Sequence, residues 1–154
     1  MVLYLLALLI GVIAGLRAMT APAAVSWAAS LGLLNLEGTW LAFLGYRFTP
    51  WLLTALAIGE LVTDQLPTTP SRKVPVAFAT RILSGALCGA AIGVAGGALL
   101  GGAIAGALGS VVGTLGGAAI RARLAAAFGK DRPAALLEDA VAILGAALIV
   151  GAVP

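Results

Sequence analysis

Glu60 and Asp64 stand four residues apart in an otherwise apolar stretch, so on a helix both carboxylates share one face. Inside a bilayer such groups are costly and turn to a partner or a water-filled path, where they attract a cation or carry a proton. Arg17, which closes the first apolar run, is the expected counter-charge for Glu60, or a contact for an anion. Glu138 and Asp139 form a second acidic pair about one turn into the last apolar segment, facing Arg81, Arg121 or Arg123 across a bundle. Arg17, Glu60, Asp64, Arg81, Glu138 and Asp139 are therefore the candidate transport or binding residues. The plainer reading of the same six is a set of ion pairs that fix helix register.

Other chemistry is sparse. The chain has no histidine, which removes the usual proton shuttle, the commonest metal ligand and every Ser-His or Cys-His arrangement. Its one cysteine, Cys88, is read as a small apolar filler at a helix contact. No metal site and no cofactor is expected. Acidic pairs can hold Mg²⁺ against a substrate phosphate, as an enzyme acting on a lipid would need. Without histidine or a tight Asp-rich run, an enzyme is not the expectation. The net charge of +3 does not point to nucleic acid, because no basic run is interleaved with aromatics.

The elements that must position these residues belong in lipid. The chain is 62% hydrophobic and 10% charged, with a mean hydropathy of +1.13, against about 25% charged residues in soluble domains. Residues 82–120 carry no charge and hold twelve of the 21 glycines. In water each glycine costs a helix about 1 kcal/mol relative to alanine. In lipid, glycine at four-residue spacing lets helices meet backbone to backbone. Gly85, Gly89, Gly93, Gly97 and Gly101 form one such ladder, Gly106, Gly109, Gly113 and Gly117 continue it, and Gly11 and Gly15 repeat it in the first span. These glycines serve packing within one chain, or else a homo-oligomer interface or a pore lined by small residues. A single helix over residues 82–120 would be about 58 Å long, too much for a bilayer core of about 30 Å. Two helices turning near residues 100–102 are expected instead.

The resulting fold class is an all-α polytopic transmembrane bundle in one domain, residues 1–154. It has about five spans, near residues 2–22, 50–66, 80–99, 102–122 and 134–153, and a closely packed Gly-rich hairpin. No basic stretch precedes the first apolar run, so it reads as an uncleaved span, with a proline kink at Pro22. Residues 30–48 read as a loop with a short interfacial helix, and residues 67–76, held by Pro67, Pro70 and Pro75, as non-helical. With five spans, Arg72, Lys73, Arg81, Arg121, Arg123, Lys130 and Arg132 fall on one side and Arg47 alone on the other. The positive-inside rule then sets the N-terminus in the cytoplasm and the C-terminus outside. Arg72 and Lys73 are topology signals in this reading, able to touch anionic headgroups.

The stretches 15–22, 59–67 and 137–140, together with Arg81, resemble a family of small bacterial multi-pass inner-membrane proteins classed as a domain of unknown function. That resemblance implies a bacterial inner-membrane location and no established activity. The functional expectation is a transporter or channel for an ion or small polar solute that uses the buried Arg, Glu and Asp residues. The alternative is a non-catalytic membrane scaffold or accessory subunit. The partners expected are the lipid bilayer, further copies of the chain and the solute itself.

Overall fold

The computed structural model describes residues 1–66 and 68–154, so Pro67, expected to break a helix, lies outside the described residues. Among the described residues the fold is all-helical. Six α-helices, α1 (Val2–Leu16), α2 (Thr20–Ser30), α3 (Thr49–Thr63), α4 (Pro75–Val94), α5 (Leu99–Phe128) and α6 (Asp131–Gly151), are joined by a 3₁₀ helix, Trp40–Gly45, between α2 and α3. Pro50 and Pro75 sit in the first turns of α3 and α4, where the missing N–H would have no partner anyway. Gly129 ends α5 in a left-handed conformation.

Several boundaries differ from expectation: α4 starts at Pro75, within the stretch expected to be non-helical and not near residue 80, and α5 runs past residue 122 to Phe128. The first span is not continuous to Pro22. α1 stops at Leu16, Arg17 is extended, and α2 starts at Thr20, which leaves Pro22 harmless in a first turn. The turn between α4 and α5 lies at residues 95–98 rather than 100–102, because Gly97 takes the positive φ that the reversal requires. Gly97 is thus a turn residue with nothing against it, and Gly101 faces the Tyr4 ring rather than another backbone.

Contacts fix the helix directions. α1 runs parallel to α5, with Gly11 on Gly106 and Gly15 on Ser110 and Thr114. α4 runs against α5, with Gly85 on Gly106, Gly89 on Gly102 and Gly93 on Ala98. A Cβ at Gly93 would come within 2.6 Å of the Ala98 carbonyl oxygen, and at Gly11, Gly85, Gly89, Gly106, Gly109 and Gly113 it would likewise meet backbone of a neighbouring helix. α6 runs against α1, since Arg17 meets Asp139 and Ile13 lies against Gly145. α2 and α3 are antiparallel: Trp27 Nε1 donates to Thr54 Oγ1 at 2.9 Å, the Trp27 and Trp51 rings meet edge to face at 5.0 Å, and the start of α2 meets Glu60. Leu31 and Leu33, beyond α2, share an apolar groove with Val150 and Gly151 at the end of α6.

The six helices therefore alternate in direction. Met1 and Pro154 lie at one end, and Arg17, Asp64 and the α5–α6 junction at the other. Five alternating helices would put the two termini at opposite ends of the bundle, whereas here they share one end. The reversal at Arg17 is not marked in the sequence by a glycine or by a proline at the turn itself.

The packing is inverted relative to a water-soluble helix. α5 buries Gly102, Gly106, Gly109, Gly113 and Gly117, and exposes Leu100, Ile104, Leu108, Val112 and Leu115. Small residues inside and large apolar ones outside suit a hydrocarbon solvent, where close backbone approach rather than water exclusion joins helices. α4, α5 and α6 are long and apolar enough to cross a membrane, while α1 and α3 are apolar but shorter.

Candidate functional site

The break between α1 and α2 leaves helix-end backbone groups inside the bundle, and two charged side chains meet them. Arg81 Nη1 donates to the carbonyls of Gly15 at 3.0 Å and Leu16 at 2.8 Å, at the negative end of α1. The Glu60 carboxylate accepts from the backbone N–H of Ala18 and of Met19, each at 2.8 Å, at the positive start of α2. Ser84 Oγ donates to the Ala18 carbonyl at 2.5 Å, and Thr114 Oγ1 to that of Gly15 at 3.2 Å. Glu60 also lies 3.5 Å from Arg81 Nη2. The expected Arg17–Glu60 pair does not form, because Glu60 is occupied by the backbone that the break exposes.

Arg17 turns instead toward α3 and α6. Its side chain is 0% exposed. Nε donates to Asp139 Oδ1 at 2.6 Å, and Nη1 donates to Asp64 Oδ2. Nη2 lies 2.5 Å from Asp139 Oδ1 and 3.7 Å from Glu138 Oε2, yet has no acceptor in line with its hydrogens. Gln65 Nε2 donates to the other oxygen of Asp139 at 3.2 Å. Glu138 receives a two-pronged contact from Arg72, at 2.5 and 2.8 Å, and lies 3.4 Å from Arg121 Nη1. Arg121 forks in turn onto Asp131, at 3.0 and 2.6 Å. A buried charge without a partner costs several kcal/mol, and here each carboxylate faces a guanidinium.

All six candidate residues, Arg17, Glu60, Asp64, Arg81, Glu138 and Asp139, come together at this end. Five of the chain's six carboxylates join the network. Arg72, read from sequence only as a topology signal, is one of its main cations. Gln65 and Asp131 were not foreseen either. Arg72 lies in a proline-flanked loop with no periodicity to aim it, so no sequence signal separated it from Lys73. Beside the network, a cleft of ≈ 540 Å³ is lined by Asp64, Arg72, Arg81, Arg121 and Asp131. Lys73, Arg123, Lys130 and Arg132 are exposed at the same end and form no ion pair among the described residues. Also among these, no three acidic or thiol side chains converge as a metal ion would need.

Fold and site together define an all-helical protein with three membrane-length helices and a buried ion network at one end of the bundle. No protein-family model, curated protein or solved structure matches the chain.

Proposed function

We propose that the chain is a small multi-pass protein of a bacterial inner membrane that passes an ion or small polar solute through its charged end. The observation that carries this is Asp64, which lines the open cleft with one side and bonds the fully buried Arg17 with the other. Opening that one contact would connect the cleft to the α1–α2 break, and helices interrupted within a bundle are where transporters hold their solutes. Asp64→Asn and Arg17→Gln in proteoliposomes test the reading. Each is expected to change tracer flux at least tenfold in protein that stays folded, and unchanged flux in both would remove the assignment.

The positive-inside rule supports an orientation with the charged end in the cytoplasm, since Arg47 is the one basic residue near the other end. With alternating helices, that orientation has both termini outside and an even number of passages. Membership in the resembled family is part of the same proposal. A homo-oligomer, also proposed, would use faces other than the glycine faces of α4 and α5, which already meet within one chain.

The scaffold reading has its own support. Arg17 is dry, and Glu60 and Arg81 are engaged with backbone. Absence of flux, together with strong coupling between Arg17 and Asp139 in unfolding, would favour it.

A further inference from the structure

We propose that the cleft at the charged end binds an anion carrying a phosphate group. This deepens the reading above and rests on it, taking the cleft as the mouth of the path. Three guanidinium groups, Arg72, Arg81 and Arg121, line the cleft against two carboxylates, Asp64 and Asp131, and ≈ 540 Å³ has room for a phosphate and its substituent. The two carboxylates are not equivalent. Asp64 is tied to buried Arg17, whereas the Asp131 side chain is 59% exposed and, among the described residues, pairs only with Arg121.

Asp131 takes Nε and Nη2 of Arg121 with its two oxygens, the fork geometry that two phosphate oxygens reproduce. It stands where a phosphate would stand, and it can swing into water to release Arg121. Lys73, Arg123, Lys130 and Arg132, exposed and unpaired among the described residues, add positive potential around this end. That field favours an anion over a cation.

The phosphate can arrive free or on a lipid. A second, largely apolar groove of ≈ 200 Å³ between α5 and α6, lined by Leu16, Ile120, Leu124, Leu137 and Val141 with Glu138 at its edge, shares Arg121 with the cleft. A lipid would place its phosphate in the cleft and its chain in this groove, and inorganic phosphate would use the cleft alone.

The full-length protein in detergent, titrated calorimetrically with inorganic phosphate, gives one arm. The other is retention of phosphatidylglycerol against phosphatidylcholine after reconstitution in nanodiscs. Arg121→Gln is expected to weaken binding at least tenfold. Asp131→Asn is expected to strengthen it several-fold by freeing the Arg121 fork, and its unfolding midpoint checks that it folds. A purely structural Arg121–Asp131 pair predicts lost stability and no gain in binding. Retention of phosphatidylglycerol without phosphate binding supports the lipid source, and phosphate binding without a lipid preference supports the free anion. No binding of either probe by folded wild-type protein and Asp131→Asn overturns the proposal. Binding without flux would sink transport and keep the site; flux without binding would sink the site and keep transport.

Discussion

α4 and α5 meet through glycine, so that the backbone of Gly106 lies directly on that of Gly85 and Gly89, while a few turns away the bundle is held by guanidinium and carboxylate. The glycine contacts carry no charge into the interior and involve little desolvation, and their stability comes from many small dispersion contacts. The ion network must offset the cost of taking charges out of water, so its net contribution is small, although losing one member is expensive. The first region is therefore intolerant of volume and the second of unbalanced charge.

The largest expected effect comes from adding volume where the backbones touch. Gly106→Leu would drive a side chain into Gly85 and Gly89, neither of which has a flexible end to move aside. A loss of at least about 4 kcal/mol is expected, since overpacking alone costs about 1–3 kcal/mol and here whole helices must part. Denaturant unfolding in detergent micelles measures it, and a wild-type midpoint would mean that α4 and α5 are not held at this distance.

Unbalancing charge comes next. Arg17→Met leaves the largely buried Asp64 and Asp139 without the guanidinium they share, at an expected cost of about 3–5 kcal/mol. Adding Asp139→Leu should recover part of that loss, because one of the two carboxylates left without a guanidinium is then gone while Asp64 remains. Arg17→Met with Glu60→Gln should be closer to additive, since the two residues are engaged with different partners. Strict additivity for Arg17 with Asp139 would dissolve the network as a unit.

What could be read from the sequence divides along the same line. Glycine spacing and apolar length are local signals, and they pointed to the helical class and to the three long apolar helices α4, α5 and α6, with ends of α4 and α5 displaced by about five residues. The six charged candidates, which the fold brings to one end, stood out because an ionisable group in an apolar run has few explanations. Their pairing was not legible. Whether Arg17 takes Glu60 or Asp64 depends on the break at residues 17–19, and that break persists because Glu60, Arg81 and Ser84, distant in sequence, satisfy its backbone. Propensity scales contain no such term, so the reversal of α2 was not legible.

The smallest expected effect is the most discriminating, because it lies at the junction of the two regions on neighbouring residues. A Cβ at Gly116 meets nothing within 4 Å, whereas one at Gly117 meets Leu16 Cδ2, with Glu138 Oε1 at 3.2 Å and Arg72 Nη1 at 3.3 Å. Helix propensity favours both substitutions by alanine, by up to about 1 kcal/mol. Gly116→Ala should therefore be neutral or slightly stabilising. Gly117→Ala should lose that gain and about 1 kcal/mol more, since the end of Leu16 can move but the Arg72–Glu138 pair is fixed at both prongs. Thermal unfolding of both variants in one detergent measures the difference. Equal shifts would mean that backbone propensity alone governs this helix, and that the charged end exerts no steric demand on the glycine beside it.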